Sequence, residues 1–283
     1  LPTADISRLI PLRHKFSWSV FMHIFLQARL DRTAVSGSGD VDTGAMSKAR
    51  LPKSSLVNML KGLRSWIAGL QPPSGATVWQ NYAGDNSYAS SEASEKVRLV
   101  GEMVAEVKPG LLLDLGCNSG DYSFAALEAG AGQVVGFDVD FGALEAAFAR
   151  SQARDLKFFP LYFDAANPSP DQGWAQGERI GFAARAKGDA LLALAFIHHL
   201  AIGKNIPLLR LLNWLMDRAP EGIIEFVPKE DPMVQRLLVL REDIFDSYSF
   251  ETFITVIGSR ADIVSDVQIS ESGRRLVRSE EHT

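Results

Sequence analysis

Apolar and polar positions follow two different periods along this chain, and the points where the period changes mark its elements. Residues 16–30 place Trp18, Phe21, Met22, Ile24, Phe25 and Leu26 at recurring three- to four-residue spacing, which predicts an amphipathic or nearly buried helix. A second helix is expected over 54–70, with Leu56, Leu60, Leu63 and Ile67 on one face, ending at Gln71-Pro72-Pro73-Ser74-Gly75. Between them, residues 36–47 are rich in Gly, Ser and Asp, the composition of a flexible linker. Further on, short continuous apolar runs take over: Leu111–Leu115, Val134–Phe137, Leu156–Phe163, Ala190–Ile197 and Ile223–Val227. Helical patterns at Phe141–Gln152 and at 204–218 fall among them. Apolar strands alternating with helices predict an α/β domain with a parallel sheet covered on both faces. Val234–Phe245 and Phe250–Ile257 read as helices, and a closing hairpin is expected from Asp262–Ile269 and Arg274–Val277, turned at Glu271-Ser272-Gly273. The pattern divides the chain into a helical N-terminal extension, 1–75, and an α/β domain, 76–283.

The first strand carries the sharpest signal. Leu111-Leu112-Leu113-Asp114-Leu115 runs into Gly116-Cys117-Asn118-Ser119-Gly120 and then into a helix start at Asp121-Tyr122. Gly116 and Gly120 allow a sharp turn and a close approach of backbone to ligand. Asp114 stands where the strand hands over to the loop, the place where open α/β sheets bind ligands. About twenty residues on, the second run ends in Asp138, within reach of a ribose diol. A third acid, Asp164, follows the third run and is followed by Ala165; the Asn167-Pro168-Ser169-Pro170 beside it also allows an Asx-type turn or helix cap, but a ligand-facing carboxylate at the strand tip is the favoured reading.

The order Asp-x-Gly-x-x-x-Gly differs from the Gly-x-Gly-x-x-Gly of dinucleotide binders. It resembles motif I of the class I S-adenosylmethionine-dependent methyltransferases, with Val134–Asp138 as the second motif. Asn118 stands where many members have glycine. The segment Trp79-Gln80-Asn81-Tyr82 through Asn86-Ser87-Tyr88, with Lys96 after it, and the stretch Glu225-Phe226-Val227-Pro228-Lys229 narrow the resemblance to a bacterial branch related to a nodulation protein, the NoeA-like group. The resemblance runs over most of the chain. It implies a Rossmann-like, doubly wound, mostly parallel seven-stranded sheet closed by an antiparallel C-terminal hairpin. It also implies S-adenosylmethionine as cofactor, cradled by Asp114, Gly116, Cys117, Asn118, Gly120 and Tyr122. Asp138 and Val139 would meet the ribose and Asp164 and Ala165 the adenine, with Tyr82 and Lys96 contributing from ahead of the first strand. The three acids 114, 138 and 164 are then expected to converge on one adenosyl ligand.

Methyl transfer needs alignment of acceptor, methyl and sulfur, and a base where the acceptor carries a proton. The candidates for that base are His198 and His199, at the end of the fourth run, and Glu225, whose charge within an apolar strand must be ion-paired or face a wet cleft. Adjacent histidines on an extended strand point opposite ways, so one is expected to face the site and the other to pack. Asn86, Tyr88 and Tyr82 are candidates for positioning, in a segment that reads either as a substrate lid or as an aromatic loop pinning the N-terminal part. Two rival functions share these residues: a non-catalytic donor- or partner-binding module, and a nucleotide-linked oxidoreductase, against which Asp114 and the missing Gly-x-Gly-x-x-Gly count.

Composition narrows the picture without naming an acceptor. The 283 residues carry a net charge of −5, which argues against a broad nucleic-acid surface. The acceptor is expected to be a small molecule or glycan-like. The single cysteine, Cys117, excludes an internal disulfide and fits a reducing, cytoplasmic setting; inside the loop it reads as a small side chain that fits. No apolar run approaches the roughly 18 residues that cross a bilayer. No metal site is expected, since the histidine pair has no further ligand at metal-binding spacing. The chain opens at Leu1-Pro2 without an initiator Met or a signal-peptide layout, as a piece of a longer protein would.

Overall fold

The structure, a computed structural model, describes residues 2–36, 52–70, 90–239 and 241–282. The chain divides into two compact units, Leu1–Gly75 and Ala76–Thr283. In the first, helix α1 (Thr3–Leu9) packs along a second helical run made of Trp18–Val20, a π-helical turn Phe21–Phe25, and α2 (Leu26–Ser36). Thr3 Oγ1 donates to Asp31 Oδ2 at 2.7 Å, tying the start of α1 to α2. Helix α3 (Lys53–Ala68) carries the stripe of Leu56, Leu60, Leu63 and Ile67.

The second unit opens with α4 (Ser90–Val107) and then alternates strand and helix: β1 (Leu112–Leu115), α5 (Asp121–Glu128), β2 (Val134–Asp138), α6 (Phe141–Arg154), β3 (Phe158–Tyr162), α7 (Phe182–Arg185) and β4 (Ala190–Ala193). It continues with α8 (Ile197–Ala201), α9 (Leu208–Met216), β5 (Glu221–Phe226), α10 (Pro232–Leu238), α11 (Phe250–Gly258), β6 (Ala261–Gln268) and β7 (Arg275–Glu281). The seven strands lie in the order β3-β2-β1-β4-β5-β7-β6. The first five are parallel, and β7 slots antiparallel between β5 and β6.

Alternate residues of the central strands serve two cores, which is why these runs are apolar apart from the buried Asp114 and Glu225. Leu113, Leu115, Leu191 and Ile224 pack with Leu208, Leu212 and Phe253 on one face. Leu112, Val134, Leu192 and Ile223 pack with Val100, Met103 and Phe124 on the other. Fully burying each such side chain contributes about 1.5–3 kcal/mol.

Three expectations are corrected. The strand expected over 156–163 is shorter, Phe158–Tyr162, and lies at the sheet edge, where Pro160 can be accommodated because one backbone side is unpaired. The helix expected over 234–245 is α10 alone, capped by Asp231, whose side chain accepts from Met233 N, with Pro232 in its first turn. The fourth strand stops at Ala193. The chain turns at Ala195, with φ +48°, and both histidines sit on the short helix α8 instead of an extended strand.

Candidate functional site

The site is built at the carboxyl ends of the parallel strands. After β1 the loop 116–120 swings back under itself: Gly116 N and Cys117 N both donate to Phe137 O at 2.8 and 3.1 Å. Gly116 and Gly120 have φ +82° and +88°, and neither has room for a side chain. A Cβ on Gly120 would stand 2.5 Å from the Phe158 ring, and one on Gly116 would meet Phe196 Cδ2 at 3.0 Å. Asn118 is also left-handed, at φ +47°, and its Oδ1 accepts from Ser119 N at 2.7 Å. Asparagine tolerates that region because its short polar side chain bonds locally, which explains how it stands in for glycine. Cys117 is buried against Gly136, where a Cβ would come within 2.7 Å of its Sγ. Burial pushes its thiol well up from the ordinary value.

Asp138, at the tip of β2, accepts from Asn118 N through Oδ2 and from Asp140 N through Oδ1, both at 2.9 Å. Burial raises its carboxyl, and these backbone donors oppose the rise. Asp164 follows β3, and its side-chain Oδ1 accepts from Ala166 N at 2.9 Å, an Asx-type turn; the residue also borders the cleft. Asp138, Val139, Asp164 and Ala165 line one side of a cleft of about 440 Å³, with Gly116 and Asn118 below. Leu194, Ala195, Phe196 and His199 form the opposite wall. Two of the three acids therefore share the cleft. Asp114 lies beneath the loop, accepting from Ser123 Oγ at 2.6 Å, and burial lifts its carboxyl to about 7.

The other expected residues fall around this cleft in different ways. His199 faces it, and burial followed by the charge of Arg274 lowers its imidazole to about 4. His198, its ring 4.1 Å from that of His199, is buried with no hydrogen-bond partner at either ring nitrogen among the described residues. Burial holds it well below the ordinary histidine value. An orphaned buried imidazole costs free energy unless some further polar group reaches it. Tyr122 packs near Lys96, whose Nζ is 5.9 Å from its ring centroid. Tyr82, Asn86 and Tyr88 lie outside the described residues.

Glu225 on β5 is fully buried and ion-paired. Its Oε2 accepts from Lys96 Nζ at 2.7 Å and from Ala195 N at 2.8 Å, while Arg274 Nη1 approaches its Oε1 at 3.3 Å. Arg274 also grips Asp231, through Nε at 2.6 Å and Nη2 at 2.8 Å. Beyond this pair opens a second, more polar cleft, lined by Ser91, Glu92, Asp231, Ser270, Ser272 and Arg274 among others. Sequence reasoning missed Leu194, Ala195, Phe196, Lys204 and Leu237 as cleft residues, and Arg274 as the second partner of Glu225. None of them carries a motif; they are assembled by the strand order.

The carboxylates at the ends of β2 and β3, and a glycine cradle that a Cβ would fill, fit an adenosyl ligand. No family model matches the chain. It is 48% identical over 277 residues to nodulation protein NoeA of Rhizobium meliloti (strain 1021), covering 98% of this chain and 58% of that protein, so the chain spans somewhat over half the length of that relative. Among solved structures it resembles the N-methyltransferase NodS from Bradyrhizobium japonicum WM9, crystallised with S-adenosyl-L-homocysteine, with TM-score 0.52 and 14% identity over 74% of this chain and 94% of that one. It also resembles WbdD, with TM-score 0.51 and 18% identity over 78% of this chain and 47% of that one. The chain is a NoeA homologue built on the α/β fold of the S-adenosylmethionine-dependent methyltransferases.

Proposed function

We propose that the second unit binds S-adenosylmethionine and transfers its methyl group to a polar acceptor. The observation that carries this reading is the cleft in which Asp138 and Asp164 face the glycine-punctuated loop at the ends of three adjacent strands. Asp138, with the backbone N–H groups of Asn118, Asp140 and Val139 on its carboxylate, keeps acceptor capacity for a ribose hydroxyl, because a carboxylate offers about four acceptor positions. Asp164 and Ala165 suit the adenine edge, and Gly116 and Asn118 the amino-acid end. Asp114 contributes from behind by holding the loop to α5 through Ser123.

The donor supplies a sulfonium-bound methyl group that leaves by in-line displacement, so alignment and exclusion of water are what the protein adds. Leu194, Phe196 and Leu237 give the cleft its dry walls. His199 is the candidate proton acceptor that borders the cleft; lowered to about 4, its imidazole is neutral at pH 7 but a weak base, suited to taking a proton from an acceptor already acidified by its attack on the methyl group. His198 sits beside it as a neutral imidazole with bonding capacity for a group entering from the site. The serine- and carboxylate-lined second cleft supports a small hydroxyl-bearing or glycan-like acceptor. A cytoplasmic setting agrees with the lone buried thiol of Cys117. Among the described residues, no helix is long and apolar enough to cross a membrane.

Calorimetric titration with S-adenosylhomocysteine and, separately, NAD tests the reading. Saturable binding of the first and not the second is expected, followed by transfer of label from a radioactive donor to a component of bacterial extracts. Binding of NAD alone would overturn it.

A further inference from the structure

Ala195 adopts φ +48° at the end of β4, a backbone region unfavourable to any residue that carries a Cβ. Such a conformation persists where its surroundings over-determine it. Its N–H is met at 2.8 Å by Oε2 of Glu225, a residue with no exposed surface. That carboxylate is in turn gripped from two directions. Lys96 Nζ lies 2.7 Å from the same oxygen, and Arg274 Nη1 3.3 Å from the other. Asp231 holds Arg274 through two bonds, and Ser272 Oγ donates to Asp231 Oδ2 at 2.8 Å. The chain of contacts ends at the donor cleft: Phe196, next after Ala195, lays its ring against Gly116, and both border the cleft.

We propose that Glu225 is a positioning residue, whose carboxylate, fixed by Lys96 and Arg274, locks Ala195 in its left-handed conformation and so sets Phe196 as the wall facing Gly116 in the donor cleft. The proposal rests on reading that cleft as the donor site. With its oxygens shared among Lys96, Arg274 and the Ala195 N–H, Glu225 acts on the shape of the donor's surroundings and not on the acceptor's proton. Arg274 and Asp231 also line the second cleft, so the same ion-paired cluster joins the two cavities. A ligand that disturbs Arg274 there would loosen the grip on Glu225 and, through Ala195, the donor wall.

The test is calorimetric titration of S-adenosylhomocysteine into the whole chain carrying Lys96→Met with Glu225→Met. This pair swaps buried charges for apolar volume, a replacement that folds tolerate. Donor affinity is expected to fall about tenfold, because the Ala195 N–H loses its acceptor. Adding Ala195→Gly, which occupies the left-handed region without a Cβ penalty, is expected to recover most of that loss. Glu225→Gln alone, the second variant, keeps an acceptor for the Ala195 N–H but loses the charge by which Lys96 and Arg274 fix it, so it is expected to weaken binding in the same direction and by less. A role confined to stability would lower the melting temperature while leaving the affinity of the folded protein unmoved. Unchanged affinity in either variant, or no recovery with Ala195→Gly, overturns the proposal alone. Failure of the unsubstituted chain to bind S-adenosylhomocysteine overturns the donor-site reading beneath it.

Discussion

Asp138 does two things at once, and they separate experimentally. Its oxygens accept from the backbone of Asn118 and Asp140, which fixes the loop, and the residue lines the cleft proposed to hold the donor. Asp138→Asn keeps the size but removes the charge and replaces one acceptor with a donor. Hydrogen bonds to a charged group are worth about 1.5–3 kcal/mol each, so affinity for S-adenosylhomocysteine should fall at least about tenfold by calorimetry. Gly120 answers to a different constraint, since its φ of +88° and the Phe158 ring both exclude a side chain. Gly120→Ala should destabilise the unit by about 2 kcal/mol or more in denaturant titrations, combining left-handed strain with overpacking. These two positions are legible in the sequence alone, because a glycine turn and an acid at a strand tip are local requirements written in adjacent residues. The left-handed Asn118 is legible there only as a departure; its self-made bond to Ser119 N explains it.

Elements are legible where their cause is local and obscure where it is distant. The doubly buried strands β1, β2, β4 and β5 announce themselves by mainly apolar runs, interrupted at Asp114 in β1 and Glu225 in β5. The end of β4 does not, because the turn at Ala195 is held by Glu225, thirty residues on, and the apolar run continues past it into α8. Hence the histidines read as strand residues and fold as helix. The link between β1 and α5 has a measurable signature. Burial raises Asp114 to about 7 from an ordinary value near 3.8, so the folded chain holds a proton that the unfolded chain releases. That contribution is intact below pH 4, is eroded as pH rises from about 4 to 7, and is constant above. Each tenfold difference in proton affinity between the two states is worth about 1.4 kcal/mol, so the loss amounts to a few kcal/mol. Asp114→Asn cannot ionise and can still accept from Ser123. Measured without donor, its stability relative to the unsubstituted chain should rise between pH 5 and pH 8, by on the order of 2 kcal/mol. A difference independent of pH would show that Asp114 is ionised in the fold.

On the scale of the whole second unit, one buried ion pair joins α4, which precedes the sheet, to β5 near its middle: Lys96 and Glu225 lie 129 residues apart and meet at 2.7 Å with almost no exposed surface. Glu225 is conspicuous in the sequence as a charge inside an apolar strand, and the need for a partner follows from the cost of burying it. Its partners cannot be named there, since nothing local distinguishes Lys96 or Arg274 from other cations; the strand order, with β7 beside β5, brings Arg274 in. Because both charges are out of water, breaking the pair should cost far more than the pair itself contributes. Lys96→Met leaves Glu225 buried with one cation fewer and should destabilise the unit by about 3–5 kcal/mol in denaturant titrations. Lys96→Met combined with Glu225→Met removes both charges and leaves Arg274 its two bonds to Asp231, so it should recover most of that loss. If the single and double variants are equally unstable, Lys96 holds α4 to the sheet by its packing and not by its charge.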